Sequence, residues 1–473
     1  MKKLVSLLLC LFLLFGCCSA CEKEPEQEPE EAVETGPVTL TVVTEEIEGV
    51  AGLNRDFTDA LFGAVGNFRM THRDIKVDLE ILPTDKEERQ IRLQKLRTDL
   101  MAGKGPDVFL LPSGMVRGGG GLRDPLFANV EMAMRNLYFT DLSEYYDADE
   151  DLKREELQQD IMDAGVLDGA RYVLPLGFNM PVVCYVPDRL EGAGLTEEEL
   201  RAPLGEFLGA ALESGNVYNE WFASVLPDTT LCLFQPLFDF ETGRLLLDRE
   251  AVYAVSRQKW QLQKEGAEYD WPARHTLNLE SYMESKRWKF LLQANSVAFV
   301  LEELSDAADM LGMGKNEDVD VKVTPMRTMG GEVAAEVTYY GAVSANSNYP
   351  AEAYEFLRTF LSAGVQHQKG LGGAPTRLKN SDTAWPVRVA GSVNTKWSAR
   401  RSAASHSDTD KELHLALGRI ELSDEDLPFL FEKIDVVRFQ LPIAQNSERG
   451  SWLSGESGVD SVIEQLEYYI AES

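Results

Sequence analysis

An α/β fold is predicted for this chain of 473 residues by three observations. Between Val38 and Leu111, β-rich and helical stretches alternate in the order strand, helix, strand, helix, strand. The last of those strands, "DVFLL", is a continuous apolar run suited to burial on both faces of a parallel sheet. Helices placed between such strands serve as crossovers, which are right-handed when they join parallel strands of one sheet. The 436 residues from 38 to 473 exceed one ordinary core and suit two lobes or domains, and 44% apolar residues make the chain globular.

"VTLTVVTEE" follows Pro37 and is β-branched enough for a first strand. A helix is expected over Leu53 to Met70. In "DIKVDLEILP", Ile75, Val77, Leu79 and Ile81 alternate with Lys76, Asp78 and Glu80, the period of a half-buried strand. Leu93, Leu96 and Leu100 then recur at helical spacing, Gly103 supplies a left-handed cap, and Pro106 prevents continuation. "GARYVLPLGFNMPVVCYVP" reads as a turn, a strand and a long extended apolar segment. Further on, Pro350 suits a first helical turn. Ala353, Phe356, Leu357, Phe360 and Leu361 form one apolar face there, and Gly364 is expected to close the helix. The last helix is expected to begin at the capping-box pair Ser461 and Glu464. No internal repeat is present.

The N-terminus is a separate matter. Lys2 and Lys3 precede an apolar run from Leu4 to Phe15, too short for the roughly 20 residues of a spanning helix, so residues 1–16 read as a signal peptide. Leu14-Phe15-Gly16-Cys17 resembles a bacterial lipobox, with Cys17 as the lipidated first residue and Cys21 as second choice. An ordinary cleaved signal and an uncleaved anchor are the alternatives. Residues 22–34 carry seven Glu, one Lys and two Pro, too little apolar surface to offset chain entropy, so 17–37 is expected to be a disordered acidic tether. Removing residues 1–16 leaves 44 basic against 78 acidic residues, a charge of −34, which argues against nucleic acid or an anionic lipid surface as the main partner. Of six cysteines only Cys184 and Cys232 lie in the body, where a disulfide between them stays open.

Motifs of catalysis and metal binding are weak. Asp147, Asp149 and Asp151 alternate as in a calcium loop, but Leu152 and Gln158 occupy positions that need Gly and Glu, and a helix N-terminus is preferred. "RGGGGLRD", Arg117 to Asp124, lacks the phosphate-cradle register. His72, His275, His367, His406 and His414 are dispersed, and neither HExxH nor GxSxG occurs. No catalytic residue, metal or cofactor is expected.

"LRTDLMAGKGPDVFLLPSG", "DGARYVLPLGFNMPVVCYVP", "YYGAVSANSNYPAEAYEFLRTFLSAG" and "GAPTRL", in that order over most of 38–375, resemble landmarks of one family. It is that of the family 1 extracellular solute-binding proteins of bacterial ABC importers, the group that contains maltose-binding protein. The resemblance implies the two-lobed periplasmic-binding-protein-like fold of class II, with crossing strands as a hinge and a ligand cleft between the lobes. Lobe 1 would take 38–180 and 340–373, lobe 2 would take 181–339 and 374–473, and the crossings would fall at Asn179–Tyr185, Tyr339–Val343 and Ala374–Arg377. The glycines at 117–124 would form a mobile loop at the cleft mouth.

Carried over residue by residue, the resemblance points to Ser113 and Gly114 after "PDVFLL", to Asn179 in the hinge strand, to Glu302 and Glu303 after "SVAFV", and to Tyr340. The first loop lacks the Trp or Asp of many sugar binders, and "LEELSD" lacks the usual aromatic, so Trp221 and Trp271 are candidates to replace those platforms. The implied protein is a non-enzymatic monomeric receptor held by its N-terminal lipid on the extracytoplasmic face of the cell membrane. It would deliver a small solute, a sugar in first place, to the transmembrane subunits of an ABC permease. A peptide, polyamine or other cargo, and a surface glycosidase, are the alternatives, because fold alone does not decide cargo.

Overall fold

β1 (Val38–Thr44), α1 (Asn54–Thr71), β2 (Ile75–Ile81), α2 (Lys86–Met101) and β3 (Val108–Pro112) follow one another as their sequence periodicity predicts. The structure is a computed structural model that describes residues 37–45, 54–114, 116–118, 121–214, 228–239, 242–268, 299–304, 307, 311, 320–366, 373–378, 385–388, 419–422, 425–443, 446–447, 450–451 and 456–471. α2 illustrates the local logic. The Asp85 carboxylate accepts from the backbone N–H groups of Glu87 and Glu88 at 3.0 Å each, which satisfies two of the helix's unpaired N-terminal donors. Leu93, Leu96 and Leu100 are buried. At the other end Gly103 sits at φ +70° while Lys104 N–H donates to Asp99 and Gly103 N–H to Leu100, the Schellman arrangement that favours glycine.

The main sheet adds β4 (Val173–Asn179), β8 (Ala334–Val343), β9 (Ala374–Pro375) and β10 (Val436–Phe439). Its order is β9-β4-β8-β3-β1-β2, with β10 joined to β8. β1 and β3 are parallel, whereas β8 runs antiparallel to β3 on one side and to β4 on the other. The first part of β8, Ala334 to Val337, pairs in parallel with β10. β8 thus lies between strands from three distant parts of the chain, and all ten of its residues are buried.

A second sheet has β5 (Pro181–Tyr185) between β6 (Phe299–Glu303) and β7 (Lys322–Pro325), both antiparallel to it. Only Met180 separates β4 of one sheet from β5 of the other. Leu304 N–H donates to the Met180 carbonyl at 2.9 Å and Met326 N–H to that of Pro181 at 3.0 Å, which pins the passage on both sides.

Two apolar cores result. The first joins Val43, Phe109, Leu111, Phe178, Val337 and Tyr340 of the main sheet. The second collects α3 (Leu204–Ser214), α4 (Arg249–Glu268) and α6 (Glu456–Ala471) on β5 and β6. β5 serves both cores, Val182 and Cys184 facing the first and Val183 and Tyr185 the second, as the period of two requires. Each fully buried side chain of this kind contributes roughly 1.5–3 kcal/mol relative to exposure.

Four local expectations are corrected. α5 (Pro350–Arg358) carries the predicted apolar face but ends before Gly364, passing into a 3-10 turn, Thr359–Leu361. α6 begins at Glu456, so Ser461 lies inside it and caps nothing; Val459, Val462, Ile463 and Leu466 face the second core and draw the helix that far back. The Asp149 carboxylate accepts from Asp151 and Leu152 N–H in a turn that leads to a 3-10 helix, Arg154–Glu156, rather than an α-helix. Arg117 to Asp124 contains a small hairpin, Val116–Gly118 against Gly121–Arg123. Cys184 and Cys232 are both buried, and the disulfide between them left open by the sequence is not formed.

Candidate functional site

In the main sheet β2 lies on one side of β1 and β3 on the other, so the direction of winding reverses between β1 and β3. Ligands of open α/β sheets bind at the carboxyl ends of the strands beside such a reversal. β1 runs out at Thr44-Glu45 and β3 at Pro112-Ser113.

Ser113 is fully buried, its N–H donating to the Thr338 carbonyl at 3.0 Å and its hydroxyl to the Val337 carbonyl. The register of β8 against β4 slips just here, between Val337 and Tyr339. Gln440 N–H donates to the same Val337 carbonyl at 2.9 Å, and a Cβ on Gly114 would collide with the Gln440 amide. A side chain at 114 would have to push the flexible end of Gln440 aside, so closely do the two segments approach.

One residue before the slip, three polar side chains stand in a row across three strands. Asn179 of β4 is opposite Glu336 of β8, which is opposite Arg438 of β10. Residues opposite one another in neighbouring strands project to the same face. Glu336 is fully buried and accepts from Arg438 Nη2; Asn179 and Arg438 are 3% and 8% exposed. Ala334 and Val436, two positions back and so on the same face, pack on the second core, whereas Val337 and Phe439 pack on the first. The row therefore lies on the face that these strands turn toward the second core, opposite the face that packs on the first. Burial holds the Glu131 carboxyl above the usual range, with Arg438 first among the charges that oppose the shift.

A second buried pair closes the end of β1. Glu45 accepts from Arg89 Nη1 at 2.9 Å and from Nη2, while Arg89 Nε donates to the Asp124 carbonyl at 3.0 Å. Burial raises the Glu45 carboxyl, and the hydrogen bond and charge of Arg89, then Arg123, oppose it.

Of the eight residues singled out by sequence, the structure brings Ser113, Gly114 and Asn179 to this place. Tyr340 is 1% exposed, its ring 6.4 Å from that of Phe139 and 5.9 Å from that of Phe439 in the first core. Glu302 and Glu303 end β6 opposite Val182 and Pro181, beside the passage between the sheets. Trp221 and Trp271 lie outside the described residues. Sequence reasoning missed Glu336, Arg438, Gln440 and Glu45. The signal for the first two was a single acid in "VAAEVTYYGAV" and a single base in "DVVRFQL", each inside an otherwise apolar strand.

A cavity of about 350 Å³ is separate, lined by Arg97, Leu100, Phe127, Met132 and Tyr138 among others and by none of the row's residues. Among the described residues no cluster of His, Cys, Asp or Glu suits a metal, and no helix is long and apolar enough to cross a membrane.

The polar row thus crosses three strands of the main sheet in an α/β chain with two apolar cores. The family model of the bacterial extracellular solute-binding proteins matches residues 48–367, and the chain belongs to that family. No curated protein matches it. Among solved structures it is similar to the sugar-binding protein MalE from the phytopathogen Xanthomonas citri, at 13% identity over 92% of this chain and 98% of that one, with a TM-score of 0.51. It is also similar to a periplasmic solute binding protein from Pectobacterium atrosepticum, at 14% identity over 92% and 99%, with a TM-score of 0.50. The likeness is one of fold, the two-lobed α/β fold of periplasmic solute-binding proteins.

Proposed function

We propose that the protein is a lipid-anchored receptor on the extracytoplasmic face of the membrane. It captures a small solute, a carbohydrate in first place, by closure of its lobes and passes it to an ABC permease. The observation that carries this reading is the row Asn179, Glu336 and Arg438, buried polar groups side by side across three strands in a chain of the solute-binding family. The carbohydrate assignment is supported by the sugar-binding neighbour of the same fold. Ser113, Gly114 and Asn179 belong to the proposed solute site, with Glu302, Glu303, Tyr340, Trp221 and Trp271 as the further candidates. The anchor is Cys17, or Cys21, followed by the acidic tether. The lobes are 38–180 with 340–373, and 181–339 with 374–473; the one-residue passage at Met180 supports the first crossing. Closure around a solute distinguishes loaded from empty receptor by shape, which is what a permease has to read.

A thermal-shift screen of residues 38–473 against saccharides, peptides, amino acids and polyamines tests this. A ligand bound only by the folded state adds about 2.7 kcal/mol of stability at a hundredfold excess over its Kd. The expected result is a shift with one saccharide class and no turnover of it. A shift with peptides or polyamines alone overturns the carbohydrate assignment, and consumption of the sugar overturns the receptor.

A further inference from the structure

The donors of Arg438 go beyond what the fold needs. The side chain is 8% exposed and gives Nη2 to Glu336, yet its Nε and Nη1 are buried without a hydrogen-bond partner. Buried guanidinium donors in native proteins are satisfied almost without exception, since each one left unpaired costs about 1–3 kcal/mol. They stand in the same row as Asn179, on the strand that ends beside Gln440 and Gly114.

We propose that Arg438 is the specificity-determining contact of the solute site, donating Nε–H and Nη1–H to an uncharged oxygen acceptor of the solute, with Glu336 as the residue that positions it. This inference rests on the receptor reading above. The acceptor is uncharged because Glu336 already balances the guanidinium: an anionic group would meet that carboxylate, and a cationic group would meet Arg438 itself. Hydroxyl, ring-ether and amide oxygens fit; uronates, amino sugars and polyamines do not. A guanidinium held by a buried carboxylate keeps its orientation in the empty protein, so little ordering cost falls on binding.

The test is calorimetric titration of the body with maltotriose, cellotriose, xylotriose, trigalacturonate, chitosan trimer and spermidine at one ionic strength. The expected wild-type result is binding of at least one neutral trisaccharide and of no charged member. Arg438→Lys keeps the charge opposite Glu336 but removes the two donors, and it should weaken that trisaccharide at least tenfold, about 1.4 kcal/mol. The paired variant Glu336→Met with Arg438→Met removes both buried charges, should stay folded, and should lose binding equally. Tightest binding of trigalacturonate, chitosan trimer or spermidine overturns the proposal. So does an Arg438→Lys protein that holds the neutral trisaccharide within twofold of wild type, in which case the carbohydrate reading stands alone. A wild-type protein that binds none of the panel overturns both readings together.

Discussion

Lys259 sits on the core-facing stripe of α4 with Val252, Val255, Ser256 and Leu262, and it is only 3% exposed. Desolvation pushes its ammonium from an ordinary 10.5 down to about 8. Between those values the unfolded chain binds the proton that the folded one has released, so this residue makes stability rise as pH increases from about 8 to 10.5. Lys259→Met should raise stability at pH 7 by roughly 2–3 kcal/mol and flatten that part of the profile, as read by urea unfolding at several pH values. Gly114→Ala should act differently. Its methyl would displace only the end of the flexible Gln440 side chain, so solute affinity should fall about tenfold in calorimetric titration while Tm moves by less than about 3 °C. Gly114 and Asn179, members of the proposed site, could be singled out in the sequence because they belong to motifs of contiguous residues. Glu336 and Arg438 were not, because their meaning depends on a partner 102 positions away, and a lone charge in an apolar run reads as an interruption of the strand.

At the scale of the element, two helix ends make a natural comparison. α2 ends on Gly103 at φ +70°, whereas the short helix Val130–Arg135 ends with the same hydrogen-bond pattern on Leu137 at φ +55°, a side chain 62% exposed. A leucine gains little by packing there and bears the left-handed strain, so Leu137→Gly should stabilise the protein by about 0.5–1 kcal/mol in thermal unfolding. The Glu45–Arg89 pair ties the end of β1 to α2 and, through the Asp124 carbonyl, to the hairpin after β3. Arg89→Met should cost about 3–5 kcal/mol by taking the hydrogen-bonded partner from a buried carboxylate and leaving only the charge of Arg123 to oppose it, and Glu45→Gln in the same chain should recover part of the loss. The element boundaries followed from periodicity wherever one face alone decided them, as in β2 and α2. They failed at α6 because the contacts that extend it to Glu456 come from the second core, and at Gly364 because the chain tightens into a 3-10 turn before reaching it.

For the whole molecule, alternation of strands and helices was enough to predict the α/β class, but the insertion of β8 between β3 and β4 is a pairing between distant segments that no local pattern encodes. The same strands join the two halves energetically. Since β5 contributes alternate side chains to both cores, loss of one core strips a face from the other, and scanning calorimetry should record one transition whose van't Hoff and calorimetric enthalpies agree. The single residue between β4 and β5 has a mechanical corollary. With Met180 held by Leu304 and its neighbour Pro181 by Met326, a twist imposed at Asn179 should be carried into the second sheet rather than absorbed by slack chain. Under the receptor reading proposed above, two glycines inserted after Met180 should leave solute binding intact while the far sheet no longer follows it, which small-angle scattering with and without solute would read.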